Sequence, residues 1–207
     1  VETGERYGLC CPNTDYYDYV KAQITDLCEN YSFEGLWIDM IGWFGVVCCC
    51  EACRKRFKKE TGIELPQIID WENPDWVTFM RKRQEWQANF AQMISTTAKD
   101  IKPGISVVHQ CTSWLIGYSG GASYRFFDQS DYLAGDFYMG ASEQSFICKF
   151  LNAVTKNKPI EFMVSRCPDL TDHTTTKSNE LLEAQMYSSI ANNAAFVFID
   201  AIDPVGT

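Results

Sequence analysis

Asp39 closes the short apolar run Gly35-Leu36-Trp37-Ile38-Asp39 and is followed at once by Met40-Ile41-Gly42-Trp43. A parallel strand buried on both faces reads as such a run. A carboxylate at its C-terminal end stands where α/β barrels keep their chemistry. Trp37 and Trp43 flank it and offer flat apolar surface on which a sugar ring can stack. A second acid, Glu143, lies in Gly140-Ala141-Ser142-Glu143-Gln144, just beyond a later strand that carries Asp136. Two carboxyl groups flanking a sugar bond are the usual equipment of glycoside hydrolysis: one attacks the anomeric carbon or activates water, the other protonates the leaving oxygen. Both acids also have purely structural uses. Asp39 can cap the loop or helix that follows it, and Glu143 suits the first turn of a helix, where the macrodipole favours an anion.

The remaining reactive side chains fall into two groups. His109 and His173 are the two histidines. His109 ends a strand, where it can bind a substrate hydroxyl or simply be satisfied within the core. His173 lies in the polar loop Asp172-His173-Thr174-Thr175. Arg166 also ends a strand, placed to bind a carboxylate or sugar hydroxyl or to pair with Asp136 or Asp200. Trp114 joins Trp37 and Trp43 as a candidate for a sugar pocket. There are ten cysteines, four of them in Cys48-Cys49-Cys50-Glu51-Ala52-Cys53. In a chain long enough to bury a core, this clustering reads as a metal site or as reduced thiols, not as a disulfide framework. It favours a reducing, cytoplasmic setting, although the sequence leaves localisation open. No phosphate-binding loop and no Ser-His-Asp order is present, so no cofactor is expected for catalysis.

The elements that must position these residues alternate. Residues 13–30 read as a helix, with Tyr17, Val20, Ile24 and Leu27 at helical spacing and Asn13 or Thr14 as its cap. The Asp39 strand follows. Residues 51–61 read as a basic helix stopped by Gly62, and 65–73 as a loop. A long helix starts with Pro74 in its first turn and runs to about residue 100. Further strands are expected at 105–109, 132–137, 159–165 and 195–200, with helices at 142–155 and 179–193. In the last of these, Leu182, Met186 and Ile190 share a face. Residues 110–131 read as a long loop rich in Gly, Ser and Tyr. Five strands alternating with helices imply a parallel α/β sheet with right-handed crossovers. No glycine-rich turn marks a nucleotide-binding open sheet. The polar strand ends Asp39, His109, Asp136, Ser165-Arg166 and Asp200 suit a barrel whose strand ends face one site. At 207 residues the chain is shorter than the ~250 residues of a complete eight-stranded barrel. Residues 1–207 therefore read as one partial (β/α)8 domain with about five β/α units.

Composition narrows the partners. The net charge of −9 and the absence of a basic stripe argue against nucleic acid. No apolar run approaches the ~20 residues of a membrane span, and residues 1–6 carry no signal-peptide pattern. A carbohydrate ligand fits the aromatic and acidic strand ends.

Leu36-Trp37-Ile38-Asp39-Met40-Ile41-Gly42-Trp43 resembles the nucleophile strand of family-29 α-L-fucosidases. Asp136-Phe137-Tyr138 through Glu143, then Pro159-Ile160-Glu161-Phe162, is similar to that family's later segments, with Ile160 where the family has tryptophan. The whole chain, including Ser165-Arg166-Cys167-Pro168 and Asp200-Ala201-Ile202-Asp203-Pro204, looks closer still to a group of fucosidase-related glycosyl hydrolases. The resemblance implies a (β/α)8 TIM-type barrel of which this chain holds about the C-terminal five units. It also implies a retaining, α-L-fucosidase-like glycosidase acting on a terminal sugar, with Asp39 as nucleophile, Glu143 as acid/base and Glu161 in the substrate pocket. A trimerisation domain of β-galactosidase type often follows in that group, which implies a homo-oligomer. Separately, Cys11-Pro12-Asn13 with Cys48-x-Cys50-x-x-Cys53 resembles the zinc motif of some family-42 β-galactosidases, implying Cys11, Cys48, Cys50 and Cys53 as ligands of a structural zinc. Four buried metal-free thiols would give the same pattern. The acid/base glutamate of that family, preceded by asparagine, has no match here. A non-catalytic carbohydrate-binding barrel and a zinc-stabilised interaction module remain alternatives to the enzyme.

Overall fold

The computed structural model describes residues 9–43, 46–111, 118–138, 140–168 and 175–200. Its elements run α1 (Tyr16–Asn30), β1 (Gly35–Ile38), α2 (Glu51–Thr61), α3 (Pro74–Ile101), β2 (Ser106–His109), α4 (Tyr124–Phe127), β3 (Ala134–Phe137), α5 (Ala141–Val154), β4 (Ile160–Ser165), α6 (Asn179–Ala191) and β5 (Ala194–Ile199). Every paired strand is parallel. The order is β1-β2 and β3-β4-β5. A single bridge, Gln110 to Ala134, joins the two groups. Gln110 N–H donates to Ile38 O at 2.9 Å, and Cys111 N–H to Ala134 O at 3.2 Å, so the hydrogen bonds cross the whole array in chain order. Among the described residues β1 and β5 are not paired with each other, and the sheet stays open. The α/β class with parallel strands agrees with the expectation; a closed barrel is not formed.

Local chemistry accounts for the element ends. Asn73 caps α3 by accepting from Asp75 N–H at 2.9 Å, with Pro74 at the start where a missing N–H costs nothing. Gly62 ends α2 in the left-handed region at φ 77°. Helix α3 is the spine. Trp76, Phe79 and Trp86 pack toward α2, Phe90, Ile94 and Ala98 toward α1 and β2, and Ala88 and Ala91 toward the β3–β5 side. Each large side chain fully buried there contributes ~1.5–3 kcal/mol.

Two local expectations differ from the structure. Residues 110–131 are not all loop: a 3-10 turn (Tyr118–Gly120) and α4 lie within them, and Phe126 and Phe127 of α4 are buried. In α6 the buried face carries Gln185 and Ser189, while Ile190 is 61% exposed. Gln144 of α5 is the reason, because its amide donates to Gln185 O and to Ser189 Oγ, both at 2.9 Å. No helix among the described residues is long and apolar enough to cross a membrane.

Strand parity fixes which side chains share a face. Leu36, Ile38, Val107, Phe137, Phe162 and Val164 pack under the helices. The alternate residues Trp37, Asp39, Gln110, Asp136, Glu161, Met163 and Ser165 therefore line the other face.

Candidate active site and four-cysteine centre

Parallel strands put all their C-terminal ends along one edge of the sheet. Asp39 follows β1 there, open to solvent on one side. Its Oδ1 accepts the Met40 N–H at 2.8 Å, and Met40 takes φ 52°, an uncommon left-handed conformation for a side-chain-bearing residue. Burial raises the proton affinity of Asp39; the Met40 N–H opposes this, and the negative charge of Asp136 adds to it. Asp136, in β3, accepts hydrogen bonds from the Gln110 amide and the Tyr138 hydroxyl. The Tyr138 phenol is held well above its usual range, first by burial, then by Asp136, and further by Asp39 and Cys167. Asp39, Gln110, Asp136 and Tyr138 thus form one polar constellation at the strand ends, with Cys167 at its edge.

The other candidates are distributed differently. Trp37 lies on the same face, partly buried, and its indole Nε1 has no hydrogen-bond partner. Glu143 is exposed in the first turn of α5, its Oε2 folded back so that a Cβ on Gly140 would stand 3.1 Å from it. Arg166 extends from the end of β4 to Asp200, its Nε donating to Oδ1 at 2.5 Å and its Nη1 to Thr176 Oγ1 at 2.6 Å. It ties the ends of β4 and β5 together, one of the two uses its position allows. Glu161 sits at the opposite, N-terminal end of β4 and accepts from the Tyr132 hydroxyl at 3.0 Å. His109 is not on the Asp39 face. It is wholly buried under α3, with Nε2 2.9 Å from Ser95 Oγ, because it shares parity with Ile38 and Val107. Trp43 is 6% exposed and packs with Cys48, Cys53 and Trp76, so its ring offers no open surface for a sugar. Trp114 and His173 lie outside the described residues. Sequence reasoning passed over Gln110 and Tyr138. Each is one or two residues beyond a residue it had chosen.

A second centre is built from cysteines. The sulfurs of Cys11, Cys48, Cys50 and Cys53 are all within 4.8 Å of one another. Cys11 and Cys53 are 3.4 Å apart, a contact and not a disulfide. Cys50 stands at the N-cap position of α2 and Cys53 falls in its first turn, so two of the thiols meet a helix N-terminus. Asn13 secures Cys11, its backbone N–H donating to Cys11 Sγ at 3.5 Å; its side-chain amide donates to Cys53 Sγ at 3.3 Å, and Arg56 Nη1 donates to its Oδ1 at 2.7 Å. Crowding makes the thiols share protons. Hydrogen bonds from Cys11 and Cys53 hold the Cys48 thiol well below its usual range, while donating to Cys48 pushes Cys11 up. Cys53 is raised by the same contacts, with Cys11 first and then Cys48. A tetrahedral zinc with bonds of ~2.3 Å needs sulfurs ~3.8 Å apart, and the observed cluster fits that demand. Cys49 turns away to Val47 O at 3.4 Å.

No protein-family model and no curated protein sequence matches the chain. Solved structures do. The PgaB (BpsB) glycoside hydrolase domain from Bordetella bronchiseptica superposes with a TM-score of 0.71 at 13% identity, over 96% of this chain and 62% of that one. The β-galactosidase from Bacillus circulans sp. alkalophilus gives 0.71 at 17% identity, over 98% of this chain and 39% of its own. Bee venom hyaluronidase in complex with a hyaluronic acid tetramer gives 0.59 at 13% identity, over 94% and 70%. The chain shares the fold of these proteins and spans less than two thirds of the length of the first two.

Proposed function

We propose that this chain is about five units of a (β/α)8 barrel belonging to a glycoside hydrolase, with its reacting groups at the strand ends around Asp39. The observation that carries this reading is the constellation itself. A carboxyl stands on a strained turn, and a second carboxylate is pinned by Gln110 and Tyr138 on the same face. Two carboxyl groups on one face of the strand ends are the equipment that glycoside hydrolysis needs. The solved structures that share the fold include a glycoside hydrolase domain, a β-galactosidase and a hyaluronidase, which supports a carbohydrate substrate.

In the retaining mechanism Asp39 attacks the anomeric carbon and Glu143 serves first as acid, then as base. Glu143 must swing away from Gly140 to do so. Asp136 is favoured as the second carboxyl by its place beside Asp39, and the two assignments separate in one experiment. The full-length protein is assayed on nitrophenyl glycosides, α-L-fucoside and β-galactoside included, since fucosidase specificity rests on the Leu36–Trp43 resemblance alone. Asp39→Ala should abolish turnover. Azide should rescue either Glu143→Ala or Asp136→Ala as a glycosyl azide, and the rescued variant identifies the acid/base. Near-normal activity in Asp39→Ala rejects the assignment. At the cysteine centre, a zinc held by Cys11, Cys48, Cys50 and Cys53 would be closed by four thiolates and supply folding energy, not catalysis.

A further inference from the structure

Arg83 is 1% exposed, yet it takes part in none of the ion pairs among the described residues. Its Nη2 donates to Val46 O at 2.7 Å and to Ser119 O at 3.1 Å, and Nη1 lies 3.8 Å from Met80 Sδ. Its guanidinium stacks over Trp43 at 4.9 Å from the ring centroid, and Nε has no hydrogen-bond partner. A guanidinium does not give up its proton in a protein, so this is a permanent buried cation without a carboxylate among the described residues. Uncompensated burial of a charge is costly. The groups whose charge acts on it are Cys53, Cys48 and Cys49, and after them Tyr118. Four thiolates around a divalent ion carry a net charge of −2, and a fixed cation beside them offsets their burial. The same guanidinium holds both sides of the segment after Asp39: the Trp43 ring, the Val46 carbonyl two residues before Cys48, and the Ser119 carbonyl opposite.

We propose that Arg83 is the fixed counter-charge of the four-cysteine metal centre and the strut through which metal loading holds Trp43, four residues beyond Asp39. This rests on the metal reading of the cysteines, and the test separates the two. Full-length wild type, Arg83→Lys, Arg83→Gln, Arg83→Met and Cys50→Ser are stripped with chelator and titrated with zinc against a chromophoric competitor, and unfolding is followed with and without zinc. Wild type should take up one equivalent and Cys50→Ser should lose tight binding. Arg83→Met and Arg83→Gln should bind zinc ~10–100-fold more weakly, the usual range for groups that support metal ligands. Their zinc-dependent rise in Tm should shrink in step. Arg83→Lys should fall between, since it keeps the charge and loses the fork that reaches two carbonyls. Wild type that takes up no zinc overturns the metal centre and this inference together. Wild-type affinity in Arg83→Gln or Arg83→Met, even with a lowered metal-free Tm, overturns the counter-charge alone and leaves Arg83 as packing. If Arg83→Met does not fold, the Arg83→Gln titration decides.

Discussion

His109 lies between Ser95 and Phe126, and burial pushes its imidazole down from 6.5 to about 3. The folded protein therefore binds this proton less readily than the unfolded chain. The stability involved is fully present above pH 6.5 and is lost as pH falls toward 3. His109→Gln should lower stability at neutral pH by ~1 kcal/mol through the Ser95 bond. It should also flatten the fall of Tm on acidification across that window, relative to wild type. Parallel acid curves in the two proteins would show that the imidazole is not held neutral. The burial of His109 was partly legible in the sequence. Alternation says that if Val107 is core, so is His109, and that Gln110 then takes the other face. The pairing of Ile38 with His109 that puts Gln110 beside Asp39 was not legible, because both strands are short runs with no polar alternation to pin their register. Trp43 lies beyond the strand, where parity no longer applies. Its orientation is set by Arg83 and by Gly121, where a Cβ would meet Trp43 Cδ1 at 2.4 Å.

Elements were read with more success than side-chain directions. Each of the five strands is an apolar run between breakers, and each helix carries a visible start or stop such as Asn73-Pro74 or Gly62. Helix α4 escaped because it lies among glycines and serines, although Ser123 capping Phe126 N–H at 3.2 Å marks its start. The turn after β1 was invisible for a different reason: nothing in a methionine announces φ 52°. That turn aims Asp39, and it stores strain. Met40 is 54% exposed, so little burial is lost by removing its side chain. Met40→Gly should therefore stabilise the protein by ~1 kcal/mol, a rise of ~2–4 °C in Tm for a chain of this size. An equal fall would mean that the Met40 side chain supports the turn instead of straining it.

Among the described residues the core divides into three packed clusters that meet along α3, and they differ in what holds them. The β3–β5 side is secured by apolar strands under α5. The α2 side is not: of that helix's residues only Cys53 and Phe57 are buried, and the rest apart from Ala52 and Thr61 is charged. An amphipathic face this narrow gives little tertiary stabilisation, so a metal on Cys11, Cys48, Cys50 and Cys53 would be its natural staple. A ligand bound only by the folded state, present at a hundred times its dissociation constant, adds ~2.7 kcal/mol. Removing it should loosen the cluster that it staples before the others. Hydrogen exchange on zinc-loaded and chelator-treated protein should show amide protection lost first in α2 and residues 46–53, while β4, β5 and α5 keep theirs. Cys53→Ser should reproduce that pattern without chelator. Simultaneous loss across β3–β5 would mean that the two sides open as one unit. Unchanged protection in α2 would mean that Phe57, packed against Phe79 at 5.4 Å between ring centroids, suffices without the metal.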